Sequence, residues 1–491
     1  MLSSHMANGS PDLSAPASAG VVPQIHVGLQ GRARAIAAVG VVAVPSAIWF
    51  GPWGLEGHAQ HGLALMSFVL LGWMTHILEP AIIGLVGIYL AWALGVVPFP
   101  IAFGGFANTT PWFLFGAMLL GMMANKSGLA RRLAFTVMQR VGGTYPRILL
   151  GLIISDFLLT LLVPSGVARV AIMGAVALGI LDVFGVARTS AIARGMFITL
   201  TYTATIFDKM LIAGASSITA RGVIERAGHV EVLWSQWALA FLPVDLLTIV
   251  LAWRVTLWMY PPEVNAPPGG AGFLTAELSR IGPLSSLEKR SAALMALAIA
   301  LWMTDFIHHI PAPMIGIGIG LLATVPGIGV LDAEDVKKVN FLTIIFVAAA
   351  IATGDILRET GALKLITDAA FGWIEPFVDT PWESVPVLYW TGFVYHIFLG
   401  DEISMLATSL PVLMQFAHTH NVDPLMLGMI WTFGAGGKIF LYQTAVLVVG
   451  YSFGCFTPKD MFKMGLALTL IEFVLLLLVV PVWWPLIGLH W

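Results

Sequence analysis

Charged residues and cysteine are both scarce in this chain of 491 residues. Asp, Glu, Lys and Arg make up 10% of it, whereas a soluble domain carries about 25%. The single cysteine, Cys455, excludes an internal disulfide. A net charge of −3 with no basic stripe gives no indication of nucleic-acid binding. Because 58% of the residues are hydrophobic and the mean hydropathy is +0.89, we predict an all-α polytopic membrane protein.

Long polar stretches are few, and they divide the chain. Residues 1–30 are rich in Ser, Ala, Gly and Pro and lack the layout of a cleaved signal peptide, so we predict a disordered cytoplasmic tail. Residues 259–291 form the long polar stretch inside the apolar region and are predicted to link a first repeat, 31–258, to a second, 292–491. The apolar runs predict about 11 transmembrane helices plus two re-entrant hairpins, in which 147–163 and 383–399 are the first arms.

Two polar interruptions follow those first arms. Residues 164–169 read Pro-Ser-Gly-Val-Ala-Arg, and residues 400–404 read Gly-Asp-Glu-Ile-Ser. An ionisable side chain at membrane depth costs about 3 kcal/mol on insertion scales, so it usually lines a polar cavity or an ion path. Two such interruptions in matching halves indicate the substrate site of a secondary transporter.

An internal repeat supports this division into halves. Residues 126–130 read Lys-Ser-Gly-Leu-Ala, and residues 359–363 read Glu-Thr-Gly-Ala-Leu at the matching point. Residues 126–147 contain basic but no acidic side chains, whereas 355–383 are mostly acidic. Lys and Arg concentrate on the cytoplasmic side, so the two repeats are predicted to be inverted, with the N-terminus in the cytoplasm.

The chain resembles the divalent anion–sodium symporter family of the ion-transporter superfamily, as a divergent member. Residues 454–465, Gly-Cys-Phe-Thr-Pro-Lys-Asp-Met-Phe-Lys-Met-Gly, are similar to the start of the family's last helix, and 234–243 resemble the equivalent segment of the first half. The resemblance spans about residues 35–488. It implies a homodimer in which a transport domain moves against a scaffold in an elevator-type exchange. The scaffold would include 33–98 and 292–329, and the transport domain 147–213 and 383–454.

The family's signature residues are only partly retained. In the family a Ser-Asn-Thr triplet lies at the tip of each hairpin, and a Gly-Thr-x-Pro-x-Asn element accompanies it. At the first tip Pro164, Ser165, Ala168 and Arg169 match, but Gly166 and Val167 replace Asn and Thr. At the second tip Asp401, Glu402 and Ile403 occupy the triplet. The second element keeps Gly214 in one half and Thr444 in the other, and Ile218 and Leu447 replace its asparagines.

The charged residues at these positions allow alternative roles. The Arg169 guanidinium could bind a carboxylate or sulfonate, or it could pair with Asp156 or Asp208. Asp401 and Glu402 could bind a cation, carry a coupling proton, since burial favours the neutral form of a carboxyl group, or cap the next helix.

Further polar residues lie near the two interruptions. Asp208 and Lys209 could neutralise each other. Lys438 follows a glycine-rich stretch and either lines the cavity or forms a structural pair. His396 is interpreted as a packing residue.

We therefore predict a secondary active transporter of a small organic anion, a dicarboxylate or a sulfonate-like compound, in the bacterial cytoplasmic membrane. Protons or sodium ions would drive it, and no cofactor is predicted apart from sodium ions in that coupling role. The predicted substrate-binding residues are Ser165, Gly166, Arg169, Asp401, Glu402, Lys438, Gln443 and Thr444. The predicted coupling-ion residues are Ser165, Gly214, Asp401, Glu402 and Thr444.

Two other functions remain open. One is an anion exchanger or uniporter without cation coupling. The other is a membrane-embedded metal-dependent enzyme that uses histidines such as His396, His308 or His418. No recognised metal-ligand spacing accompanies those histidines, so no catalytic or metal residue is predicted.

Overall fold

A computed structural model describes residues 31–163, 165–268 and 272–489. Within these ranges every regular element is a helix. The predicted disordered tail, 1–30, lies outside the described residues, as does Pro164 of the first hairpin tip.

The first half contains twelve of the described α-helices. They are α1 (Gly31–Phe50), α2 (Gly57–Thr75), α3 (Pro80–Ala93), α4 (Phe99–Ala102), α5 (Thr109–Lys126), α6 (Leu129–Val141), α7 (Tyr145–Thr160), α8 (Gly166–Phe184), α9 (Ala191–Met210), α10 (Ala215–Gly228), α11 (Trp234–Met259) and α12 (Gly272–Ile281).

The second half contains the remaining described α-helices. They are α13 (Ser286–Met303), α14 (Asp305–His308), α15 (Ala312–Leu322), α16 (Ala333–Val336), α17 (Phe341–Glu359), α18 (Ala362–Phe371), α19 (Pro381–Phe398), α20 (Glu402–His420), α21 (Pro424–Ala435), α22 (Ala445–Ser452) and α23 (Pro458–Leu486).

The length and composition of these helices confirm a polytopic membrane protein. In the described part of the chain, six helical segments are long and apolar enough to cross a membrane, with α9 and α10 counted as one broken segment. A seventh results if α5 and α6, which are bent by 66° to each other, count as one span. Helices α3, α15 and α21 are apolar but shorter. The predicted total of about 11 spans stays a prediction.

The two halves repeat the same order of elements around the same glycine turn. Helix α5 is joined to α6 by Gly128 with φ 82°, and α17 is joined to α18 by Gly361 with φ 75°. Both glycines adopt the left-handed conformation that a side chain disfavours. A helix hairpin, a broken helix and a long last helix follow each turn. The match between residues 126–130 and 359–363 thus reflects a shared local structure, while the inverted orientation of the halves remains a prediction.

Close helix contacts join the halves. A Cβ atom on Gly116 of α5 would lie 2.5 Å from the backbone carbonyl of Gly316 in α15. A Cβ atom on Gly84 of α3 would lie 2.7 Å from the Cβ atom of Ala349 in α17. Small residues at such crossings let backbones approach each other, as is typical of helices packed in membranes.

The polar segment 259–291 is ordered where it is described, and it is attached to the first half. Arg132 of α6 donates hydrogen bonds to Glu288 (2.6 Å) and to the carbonyl oxygen of Gly282 (2.8 Å). Burial opposes ionisation of Glu263, but hydrogen bonds from the backbone N–H groups of Ala191 and Ile192 outweigh it and lower the pKa of that carboxyl group. The linker therefore fastens α6 and the start of α9.

Candidate functional site

Two helix hairpins contain the polar interruptions. The first consists of α7 and α8, and Ser165 caps α8 by accepting a hydrogen bond from the backbone N–H of Ala168 (3.3 Å). The second consists of α19 and α20, whose connection includes Gly400 at φ 87°. There Asp401 accepts hydrogen bonds from the N–H groups of Ile403 (3.0 Å) and Ser404 (3.3 Å). Both tips are thus stabilised by N-cap side chains.

Each hairpin is accompanied by a helix that breaks. Residues 211–214 separate α9 from α10, and residues 436–444 separate α21 from α22. The Gln443 side chain stabilises the second break, because its Oε1 accepts hydrogen bonds from the N–H groups of Ile439 (2.7 Å) and Phe440 (2.8 Å). Thr444 caps α22 through the N–H of Val446 (3.4 Å).

The first hairpin tip meets the first break at Asp208. A Cβ atom on Gly166 would lie 2.4 Å from Asp208 Oδ2, and one on Gly214 would lie 2.8 Å from Asp208 Cβ. The same position on Gly166 is 2.9 Å from Val446 of α22. The structure therefore brings Gly166 and Gly214, both predicted site residues, into contact with one carboxylate and brings Gly166 close to the second break.

The second hairpin tip meets the second break through an ion pair. Lys438 Nζ lies 3.1 Å from Glu402 Oε1, and both side chains are buried. His396 Nε2 lies 3.1 Å from the carbonyl oxygen of Gln443. The N-termini of α8, α10, α20 and α22 thus gather near the two tips, where the helix dipoles create positive potential.

Arg169 is held entirely by protein groups. Its guanidinium is fully buried, with Nε 3.0 Å from Asp156 Oδ1 and Nη2 3.0 Å from Asp208 Oδ1. Nη1 donates to the carbonyl oxygen of Val163 (3.2 Å) and Nη2 to that of Ala204 (2.8 Å). Of the two roles considered for Arg169, the structure shows the ion pair. The pair fastens the hairpin tip to α9.

At the second tip, too, the structure shows the helix-capping and ion-pairing roles considered for these residues. Both Asp401 carboxylate oxygens accept hydrogen bonds from the first turn of α20, so this residue is a helix cap. Glu402 and Lys438 form a buried pair. A substrate or ion contact by these residues stays a prediction.

Of the alternatives open for Asp208 and Lys209, the structure shows structural pairing, but with other partners and not with each other. Asp208 pairs with Arg169, whereas the Lys209 ammonium contacts the carboxylate of Glu472 on α23. Sequence reasoning missed Glu472 and Asp245. Their signal was available, since Glu472 is the one acidic residue in the apolar run 463–488 and Asp245 the one in 232–258.

The cavities lie beside these contacts and not among the predicted site residues. A cavity of about 560 Å³ between α2 and α18–α20 is apolar and reaches Leu399 next to the second tip. A polar cavity of about 60 Å³ is lined by Arg226, Asp355 and Arg358. In the described ranges no three His, Cys, Asp or Glu side chains are grouped to hold a metal ion.

Paired hairpins facing paired broken helices, with ionisable residues between them, are the architecture of a membrane transporter. The sequence matches the family described as the sodium:sulfate symporter transmembrane region over residues 32–490, and the chain belongs to that family. The family and the relatives named for an activity are transporters and not enzymes.

Three relatives match almost the whole chain. A "Membrane protein" of Cupriavidus necator is 27% identical, covering 95% of this chain and 95% of its own. A protein of Bacillus subtilis with the provisional name of malate transporter is 23% identical, covering 94% and 98%. An L-tartrate/succinate antiporter of Shigella dysenteriae is 23% identical, covering 93% and 98%.

Proposed function

We propose that the protein is a secondary active transporter that carries a small dicarboxylate across the bacterial cytoplasmic membrane. The observation that supports this most directly is the second hairpin tip, where the buried Lys438–Glu402 pair joins a helix N-terminus to a helix break. The names of the relatives favour a dicarboxylate over sulfate, since they mention malate, tartrate and succinate.

Lys438 is the proposed cationic contact of the substrate. It lies in the break between α21 and α22, ahead of the 3-10 turn Leu441–Gln443, so its ammonium can exchange Glu402 for a substrate carboxylate while the backbone adjusts locally. The N-termini of α20 and α22 would add positive potential to the same place. Arg169 would then act as a positioning residue for the first tip, because each of its nitrogens already has a protein partner.

Transport would follow an elevator-type movement in a homodimer. The hairpins and broken helices would move as one transport domain against a scaffold that includes α2, α3, α13 and α15. The contact of α17 with α3 through Gly84 and Ala349 supports adding α17 to the scaffold. With the N-terminus in the cytoplasm, the basic segment 126–147 would also be cytoplasmic.

The test is uptake by the purified protein in liposomes. Radiolabelled malate, succinate, tartrate and sulfate are compared with no gradient, with a sodium gradient and with a pH gradient. We expect saturable uptake of at least one dicarboxylate and weaker or no uptake of sulfate. Lys438→Met should abolish it, and the exposed Lys364→Met should not. The absence of dicarboxylate uptake under every gradient would contradict the proposal.

Exchange of one dicarboxylate for another is the second candidate. It is favoured by the permanent side-chain cation Lys438 in the second break and by a relative named as an antiporter. Succinate inside the liposomes should then accelerate uptake from outside. Uptake that ignores internal succinate would exclude obligatory exchange.

A further inference from the structure

Asp245 on α11 is a buried carboxylate without a hydrogen-bond partner. Its side chain is 0% exposed, and neither of its oxygens meets a donor among the described residues. Three charged side chains from other elements lie within electrostatic range, namely Lys209 of α9, Glu472 of α23 and Lys438 of the second break. A buried polar group in this state is uncommon and requires an explanation.

Lys209 connects this carboxylate to the transport machinery. Its ammonium pairs with Glu472 and lies 5.4 Å from the centre of the Phe433 ring. It also touches the backbone where the second break begins, because a Cβ atom on Gly436 would lie 1.9 Å from Lys209 Nζ. A change in the position of Lys209 would therefore shift the backbone at Gly436, two residues before Lys438.

The nearby cations are all paired with other carboxylates, which leaves Asp245 without a counter-charge. Lys438 is matched by Glu402, and Lys209 by Glu472. Arg169 already has two carboxylates, Asp156 and Asp208. An ionised Asp245 would add an uncompensated negative charge at membrane depth, which is strongly unfavourable. One bound proton removes that charge. In the described ranges no third carboxylate or histidine joins Asp245 and Glu472 in a cage for a metal ion.

We propose that Asp245 is the site that binds and releases the coupling proton of this transporter. The proton comes from water on one side of the membrane, resides on the Asp245 carboxylate, and leaves to water on the other side. When Asp245 loses its proton, its carboxylate competes with Glu472 for the Lys209 ammonium and draws it away from Gly436. Proton occupancy thereby alters the break that carries Lys438. This assignment builds on the proposed function and supplies its coupling ion.

The decisive variant is Asp245→Asn, which keeps the shape of the side chain but cannot exchange a proton. Purified wild-type protein and variant are placed in liposomes that contain a pH-sensitive dye, and proton flux and dicarboxylate uptake are recorded together. We expect substrate-dependent proton flux in the wild type and at least a tenfold smaller flux per substrate in Asp245→Asn. Exchange of labelled for unlabelled dicarboxylate should continue in the variant. The matched control is Asp182→Asn at an exposed position of α8, which should behave as the wild type.

Infrared spectroscopy distinguishes a proton-binding role of Asp245 from a purely structural one. The wild type should show the carbonyl stretch of a protonated carboxyl group at neutral pH, and Asp245→Asn should lack that signal. If Asp245→Asn does not fold, Asp245→Glu serves instead, since it should keep proton flux and shift the band. Undiminished proton flux in Asp245→Asn, or dicarboxylate transport by the wild type without proton flux, would overturn the assignment. If the wild type carries no dicarboxylate at all, the proposed function itself fails.

Discussion

Glycine at position 166 leaves room for a carboxylate. The Asp208 side chain fills the space between Gly166 and Gly214, and its other oxygen pairs with Arg169. An asparagine at position 166, as in the family triplet, would collide with it. Glycine at position 166 is therefore compatible with Asp208, which fills this space and pairs with Arg169, whereas the asparagine of the family triplet would not be.

Replacing Gly166 tests that packing. Gly166→Ala places a methyl group 2.4 Å from Asp208 Oδ2, and overpacking of this kind costs about 1–3 kcal/mol. We expect a lower melting temperature in detergent and reduced uptake. Gly179→Ala is the matched control in the same helix, because a Cβ atom there meets nothing within 4 Å. Equal stability of the two variants would show that the tip tolerates the methyl group.

Arg169→Ala should lower the yield of folded protein. The substitution leaves Asp156 and Asp208 buried without their cation, and breaking a buried pair costs about 3–5 kcal/mol. Size-exclusion chromatography and thermal unfolding measure this loss. Adding Asp156→Asn and Asp208→Asn to the Arg169→Met variant should restore part of the stability. A stable Arg169→Ala protein that has lost only substrate affinity would instead make Arg169 a substrate ligand.

At the scale of elements, the second break depends on one amide side chain. Gln443 accepts hydrogen bonds from two backbone N–H groups that no helix can satisfy, and its Nε2 lies 3.4 Å from the carbonyl oxygen of Gly437. The Gln443 side chain thus holds the short segment 437–443 together at membrane depth. This explains how a non-helical stretch is tolerated there, since buried backbone groups must find partners within the protein.

Two substitutions at Gln443 separate the role of its acceptor from its shape. Gln443→Leu leaves the N–H groups of Ile439 and Phe440 without a partner, at about 1–3 kcal/mol for each. Gln443→Glu keeps the acceptor and should retain most of the stability. Melting temperatures and uptake rates should rank wild type first, then the glutamate variant, then the leucine variant. The reverse order of the two variants would show that burying a carboxylate here costs more than leaving the two N–H groups without an acceptor.

At the scale of the whole molecule, α17 and α20 touch where the proposed scaffold and transport domain meet. A Cβ atom on Gly354 would lie 3.4 Å from the Cβ atom of Pro411, close to the span of a disulfide, about 3.5–4.5 Å. Helix α17 also contacts α10, where Arg226 Nη2 lies 2.7 Å from Asp355 Oδ2 of α17. An elevator-type movement would have to part these groups.

A crosslink between Gly354→Cys and Pro411→Cys should therefore stop transport. With Cys455 replaced by serine, mild oxidation should abolish dicarboxylate uptake and a reductant should restore it. Each single-cysteine variant, treated in the same way, should keep its activity. Full uptake by the crosslinked protein would mean that α17 and α20 move together.

Local patterns were enough to predict the helical membrane fold and equivalent points in the two halves. The Lys-Ser-Gly and Glu-Thr-Gly stretches predicted equivalent points in the halves because a left-handed glycine is a property of a few adjacent residues. The partners of buried charges could not be predicted in this way. Arg169 had two possible acids and uses both, and Lys209 pairs with an acid on the last helix. Only the packed structure decides such pairs.

The Lys209–Glu472 pair also has a consequence for biosynthesis. The acid lies 263 residues after the lysine, and ribosomes add about 5–20 residues per second. The nascent first half therefore lacks this partner of Lys209 for on the order of tens of seconds before α23 is synthesised. During that interval Asp245 of α11, which also attracts Lys209, is an acid of the first half that can balance its charge. The Lys209–Glu472 pair thus forms only once α23 has been synthesised.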